Sequence, residues 1–399
     1  MAVLNGRESE ILSLIRRHGP LSRRELHELT ALRPNTVGEL TAAMLEQGLL
    51  HEGQPRSDGR GRPRQPLEID SARRHVVGLA FEPGSVSACR VNLHGKRIGA
   101  IRERAVKDSH ELVSAAAALI RSSCNSGTLL IGAGATGFVD PETRAILTSS
   151  STLSHSPTLL EPVYHAAGSC QLLLENDMHA RAFHWLMSRN AVPSEDVLLV
   201  DLRDGALGAA LLIDGHPNRG CVIGGNELGH TRLPVETQMC YCGHTGCLER
   251  ICSSDFLARQ GEGAATLYDR LSHFHAGDGA LTTIASYLAT GIGNAINFIR
   301  PNRVLLTGKV TESLPFCNHL ITKMRSLLLA PLADRVRIDI WEAPGLSPSE
   351  AAAWVALASL YRGGRIESAE AHEANCNGNL KTQTAEVSSR KIKRLAKSA

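Results

Sequence analysis

Glu227-Leu-Gly-His230, followed by Cys240-Tyr-Cys242-Gly-His-Thr-Gly246-Cys247-Leu-Glu249, is the stretch on which the reading of this chain turns. His230, Cys240, Cys242 and Cys247 offer one imidazole and three thiolates, a set that fills a tetrahedral zinc site. Gly243 and Gly246 permit the sharp turns that bring Cys242 and Cys247 onto one ion. Three unrelated buried cysteines would not come with such turn glycines. Four protein ligands leave no coordination position for water, so the expected Zn2+ is structural, one per chain, and its role is to hold its neighbours. Those neighbours are carboxylates: Glu227 and Glu249 stand at the two edges of the stretch.

Upstream, Leu172-Leu173-Leu174 reads as a buried strand ending in Glu175-Asn176-Asp177, before a helix from Met178 to Met187. Polar residues where a strand passes into a helix lie at the strand's carboxyl end, the usual ligand location in open α/β sheets. Asn176 can donate and accept and Asp177 accepts, which suits vicinal hydroxyls; an Asn-Asp pair is equally a common helix cap. Another buried strand, Leu129 to Gly134, runs into the turn Thr136-Gly137-Phe138-Val139-Asp140-Pro141, where Gly137 would let main chain approach a hydroxyl.

The pattern Glu-x-Gly-His, then Cys-x-Cys-Gly-x-x-Gly-Cys-x-Glu, resembles the repressor, open reading frame and kinase (ROK) family of sugar kinases and sugar-responsive repressors, over roughly residues 5 to 363. The resemblance implies an α/β fold with a two-lobed, actin-like and ribonuclease-H-like body, preceded in the repressor branch by a winged helix-turn-helix. It also implies that Gly137, Asn176, Asp177, Glu227, His230 and Glu249 contact a sugar. His230 would then be shared, one ring nitrogen on zinc and the other toward the ligand. In the kinases the residue at Asp177 takes the proton from the attacking hydroxyl.

The N-terminal residues fit the repressor branch. Ile11, Leu12, Leu14 and Ile15 recur at helical spacing until Gly19-Pro20; Ser22 and Glu25 form a capping box; Pro34 opens a third helix with Val37, Leu40 and Met44 on one face. Three short helices with a tight connection at Ala31 to Arg33 form a helix-turn-helix whose third helix, opened by Pro34, would enter the major groove with Asn35, Thr36 and Glu39 outward. A small helical interaction module is the alternative for the helices alone. Two short strands, Leu49 to Gly53 and Pro66 to Ile69, flank Arg56-Ser-Asp-Gly-Arg60-Gly-Arg62-Pro-Arg64, which reads as a wing. Arg60, Arg62 and Arg64 on a Gly/Pro backbone suit a narrow A·T-rich minor groove, although a solvated charge run would have the same composition.

The body departs from the kinase pattern on its nucleotide side. Kinases of the family carry Gly-x-Asp-x-Gly-Gly-Thr at the first strand, where this chain has Gly78-Leu79-Ala80-Phe81-Glu82-Pro83-Gly84. Glu82 would face a polyphosphate, and Pro83 lacks an N–H donor. The second phosphate loop reads Asp204-Gly205-Ala206-Leu207-Gly208, with Asp204 adding negative charge, and Thr307-Gly308-Lys309 replaces a triple glycine. ATP binding is not expected.

Composition excludes little else. The 399 residues bear a net charge of +3, so any basic footprint for nucleic acid must be local. Ten cysteines without framework spacing point to a reducing compartment, and no run approaches a membrane span, so a cytoplasmic location is expected. The expected organisation is a winged helix-turn-helix over 1–70, a first lobe over 71–190, a second lobe with the zinc site over 191–363, whose last helix (349–362) can pack back on the first lobe, and a disordered basic tail over 364–399. The expected function is a sugar- or sugar-phosphate-responsive repressor, not an enzyme. Its partners would be a palindromic double-stranded operator with A·T-rich flanks and its own copies, as a homodimer or dimer of dimers. An active sugar kinase with a regulatory domain is the competing reading.

Overall fold

The computed structural model describes residues 4–55, 64–148, 157–188, 195–220, 226–235, 238–261, 265–342 and 345–362. Arg60 and Arg62 of the expected wing, and the expected basic tail, lie outside the described residues. The chain forms two units, residues 1–73 with 357–399, and residues 74–356.

In the first unit, helices Gly6–His18, Arg23–Thr30 and Pro34–Glu46 accompany a three-stranded antiparallel sheet in which Pro66–Ile69 lies between Leu21–Ser22 and Leu50–Glu52. This is the element order of a winged helix. Both early helices start at capping boxes: Asn5 Oδ1 accepts from Glu8 N while Glu8 returns to Asn5 N, and Ser22 and Glu25 do the same. The buried face of the third helix is Val37, Thr41 and Met44, with Leu40 only half-buried. A buried threonine is tolerated because its hydroxyl donates to Val37 O at 2.8 Å and accepts from Arg23 Nε at 3.1 Å. Pro34, Asn35 and Glu39 are exposed and Thr36 partly so. Arg64 is exposed, 4.0 Å from Glu25. The last turns of helix Pro348–Arg362 belong to this unit, where the Arg16 guanidinium lies 5.0 Å from the centroid of the buried Tyr361 ring.

The second unit holds two five-stranded sheets of one design. In the first, His75–Glu82, Ser85–Asn92 and Arg97–Ala105 form an antiparallel meander, and Thr128–Ala135 and Gln171–Asn176 continue parallel from the first strand's other edge. In the second, Val197–Arg203, Ala206–Ile213 and His216–Pro217 form the meander, and Arg303–Thr307 and Arg337–Ile340 the parallel extension. Each sheet is therefore ordered third, second, first, fourth, fifth strand. Such a duplicated α/β body presents the carboxyl ends of its parallel strands, here Glu82, Asn176, Arg203 and Thr307, as the ligand side.

Two neighbouring strands of the first sheet place Gly78 opposite Gly132, and helix Pro348–Arg362 runs over them. A Cβ at Gly78 would stand 1.9 Å from Ser349 O, and one at Gly132 2.1 Å from Ala352 O. With Ala351, Ala352 and Ala353 on the helix, backbone lies almost directly on sheet, a contact that larger residues would prevent. Among the described residues, no helix is long and apolar enough to cross a membrane.

Candidate metal centre and ligand site

The turn glycines do the work expected of them. Gly243 and Gly246 have φ of 84° and 88°, Cys240 N donates to His244 O, and Leu233 N donates to Gly246 O, so the stretch folds back on itself. Its apolar anchor is Leu248, fully buried, whose Cδ2 would lie 2.3 Å from a Cβ at Gly291 of helix Gly279–Ile299. Leu248 thereby fixes the residues on either side of it, Cys247 and Glu249.

The ligand atoms of His230, Cys240, Cys242 and Cys247 all lie within 4.8 Å of one another. Zinc bonds of about 2.3 Å to sulfur and about 2.05 Å to nitrogen, at tetrahedral angles, put sulfurs about 3.8 Å apart and sulfur and nitrogen about 3.6 Å apart. The chain has Cys242 Sγ 3.5 Å from Cys247 Sγ and Cys240 Sγ 3.7 Å from His230 Nδ1. The donor set and its dimensions fit a closed metal centre. Burial pushes the thiols of Cys240 and Cys247 up, so a cation must displace their protons. With Nδ1 facing the sulfurs, His230 turns Nε2 outward, 3.0 Å from the Tyr241 hydroxyl and 3.8 Å from Glu227 Oε2.

Three acids converge beside this centre. Glu249, 4% exposed, lies 3.8 Å from His230 Nδ1 and accepts from Cys240 Sγ at 3.1 Å. The Glu227 carboxyl is pushed up to about 7 by burial and by the nearby charges of Asp177 and Glu249. Gly229 lets Glu227 and His230 approach closely, since a Cβ there would meet Leu207 O at 2.4 Å and Glu249 Oε2 at 3.3 Å. Asp177 opens helix Asp177–Ser188 and is partly exposed; burial raises its proton affinity, Arg203 and Arg181 oppose this, and Asp201 adds to it.

Asn176 and Gly137 are joined in a different way from that expected. Asn176 Nδ2 donates to Gly137 O at 3.0 Å and Oδ1 accepts from Met178 N at 2.8 Å, so the side chain caps the helix and pins the Gly137 turn, whose φ is 82°. One amide proton and one acceptor lone pair remain to it. Asp204, the acid expected in the second phosphate loop, has local partners. Its carboxylate accepts from Ser254 N at 2.7 Å and from Ser254 Oγ, at the start of helix Ser254–Arg259, whose N-cap is Ser253. Asp201, 2% exposed, pairs with Arg203 and, at 3.5 Å, with Arg181.

Sequence reading also missed a buried support. Glu175 accepts from Arg219 Nε at 2.9 Å and lies 2.9 Å from His179 Nδ1; these partners outweigh burial and hold its carboxyl down at about 2. Arg219 lies 44 residues away and nothing local announces it. Arg181 could have been found, because four residues after Asp177 it lies on the same helix face.

The ROK family model matches residues 94–352. The xylose repressor of Bacillus subtilis is 24% identical over 354 residues, covering 85% of this chain and 89% of that protein. The transcriptional dual regulator NagC of Escherichia coli is 23% identical over 327 residues, covering 76% and 80%. Among solved structures, a ROK family transcriptional regulator, a homologue of the Escherichia coli MLC protein, has a TM-score of 0.73 at 20% identity and covers 90% of this chain and 97% of that one. The ROK hexokinase of Thermus thermophilus has a TM-score of 0.55 at 21% identity and covers 70% and 97%. With a family model matched over more than half its length, around a zinc-type cluster and converging acids, this chain belongs to the ROK family.

Proposed function

We propose that the protein is a sugar-responsive transcriptional regulator, a repressor of carbohydrate genes, whose ROK body binds an effector without phosphorylating it. The observation that carries this reading is the contrast between the groups on the two sides of Asp177. Asp177, Glu227 and Glu249 converge as acceptors for hydroxyls, with His230 Nε2 beside them as a donor once Nδ1 is on the metal, whereas the other side holds Glu82 and the Asp201 ion pairs. The xylose repressor and NagC, which cover most of the chain, support the same reading. Zinc bound at His230, Cys240, Cys242 and Cys247 would supply a fixed charge and a rigid turn, and the chain's own work is to hold Glu227 and Glu249 around the hydroxyls.

The first unit would read DNA. Helix Pro34–Glu46 enters the major groove with Pro34 at its start and Asn35, Thr36 and Glu39 toward base edges and phosphates, and Arg60, Arg62 and Arg64 enter the adjacent A·T-rich minor groove. A homodimer on a palindrome supplies the affinity that one winged helix lacks. Binding-site selection on the full chain tests this. Asn35→Ala should relax base choice by about 1–3 kcal/mol at an unchanged salt slope, and Arg62→Ala should reduce the slope by about 1. A full-length protein that enriches no sequence overturns the regulator reading. The kinase reading draws on Asp177, the base of the family's kinases, and predicts ATP-dependent hexose phosphorylation at about 1 per second or faster in a coupled assay.

A further inference from the structure

Where the strands Val197–Arg203 and Arg303–Thr307 end, the chain supplies its own counter-ions. Asp201 is buried, and its Oδ2 takes Arg203 Nη2 as a close partner and Arg181 Nε at 3.5 Å. Its Oδ1 makes no hydrogen bond and is pressed by the backbone of Gly308, where a Cβ would stand 2.3 Å from it. Arg181 rises from the helix that Asp177 opens, Arg203 ends its strand, and Glu82 closes the neighbouring hairpin at Pro83-Gly84. Glu82, Asp177 and Asp201 thus stand around two arginines, with Glu103 also beside Glu82, so that carboxylates outnumber guanidiniums. Burial already pushes the carboxyls of Glu82 and Asp177 up in spite of both guanidiniums.

We propose that this cluster closes the ground beside Asp177 to phosphate, so that the effector is an uncharged sugar and not its phosphate ester. The inference deepens the sugar-sensing reading and rests on it for the identity of the ligand. A hydroxyl facing Asp177 has an acceptor. A phosphate in its place would bring two further negative charges toward three carboxylates whose arginines are already engaged. One unbalanced charge pair some 6 Å apart at an effective dielectric near 20 lowers affinity by roughly 100-fold.

The test is a thermal-shift and calorimetric series on the zinc-loaded full chain, with inorganic phosphate and with paired ligands: glucose and glucose 6-phosphate, N-acetylglucosamine and its 6-phosphate, xylose and xylose 5-phosphate. A free sugar should bind at least roughly 100-fold more tightly than its ester, and 10 mM-scale phosphate should give no protection. Asp201→Asn with Glu82→Gln should release the arginines and make phosphate protective; Glu82→Gln alone, at a hairpin end, should do so in part if the double variant does not fold. A sugar phosphate that outcompetes its parent, or phosphate protection in the unaltered chain that Arg203→Ala removes, overturns the proposal. If neither member of any pair binds, the sugar-sensing reading fails. The phosphate arm still decides closure, which is supported if only the acid-depleted variants respond and refuted if the unaltered chain responds.

Discussion

His75 at the start of strand His75–Glu82 provides a quantitative test of how the body is held together. It is 6% exposed, and its Nε2 lies 2.9 Å from Thr128 Oγ1. That hydroxyl accepts from Asn125 N at 3.0 Å, so its proton is left for the ring, an arrangement suited to a neutral imidazole. Burial, with Arg90 and Arg74 nearby, lowers the pKa from 6.5 to about 4. Because the folded value lies below the unfolded one, the unfolded chain takes up a proton first as pH falls. Stability is therefore fully present above pH ~6.5 and lost as pH falls toward ~4, by roughly 3 kcal/mol in total and roughly 1.4 kcal/mol between pH 7.5 and 5.5. His75→Gln keeps a hydrogen-bonding side chain beside Thr128 and removes the titration. Urea unfolding of both proteins across that interval, with zinc present, gives a difference curve in which other titrating groups cancel. The difference should shrink by roughly 1.4 kcal/mol on acidification. Parallel curves across the interval would show that His75 is not held neutral by its surroundings, and the reasoning would fail.

Three further outcomes follow from other contacts. Cys242→Ser should reduce bound zinc from one per chain toward none by elemental analysis and weaken sugar protection by loosening Glu249; metal-free unaltered protein would refute the centre. Gly132→Val should destabilise by roughly 3 kcal/mol or more, since its side chain would enter the backbone of helix Pro348–Arg362 at Ala352 O; an unchanged unfolding midpoint would refute the packing. Asn176→Ala should cost about 1–2 kcal/mol of stability with no sugar present, because it removes the helix cap and the bond to Gly137 O; loss of sugar binding with stability intact would assign Asn176 to the ligand alone.

What could be read from the chain was what local chemistry enforces. A Cys3His set with positive-φ glycines has few uses other than holding a metal, and Ser22 with Glu25 caps a helix whatever surrounds it. That Leu248 fills the space beside Gly291 of helix Gly279–Ile299 is revealed only by the fold. Thr41 was missed because periodicity counts apolar side chains, and a threonine whose hydroxyl bonds Val37 O can be buried just as fully. The duplication of the sheets, implied by the family resemblance, could not be read from the strands themselves for a related reason. Burial requires only apolar residues at each strand, and Val76-Val77-Gly78 and Leu198-Leu199-Val200 satisfy the same requirement without resembling each other.

The charge pattern around Asp177 and Asp201 shows where local reading stops. Loss of phosphate-binding glycines and of an N–H at Pro83 was evident residue by residue, because each removes a group that phosphate needs. The replacement was not, because the pairing depends on which partners meet: Arg181 reaches Asp201 from the helix that Asp177 opens, Arg203 turns back on it from two residues along the same strand, and Asp204 is occupied by Ser254 fifty residues on. A carboxylate's role depends on which donor reaches it first, and backbone N–H groups at a helix start compete well for it. Asp204 is therefore held by Ser254, and in the proposed closure the carboxylates that would oppose an anion are Glu82 and Asp201. An engineered return toward nucleotide binding would accordingly have to remove the Arg181–Asp201–Arg203 pairs as well as restore the glycines, since glycines at Glu82 and Pro83 alone would leave the buried counter-ions in place.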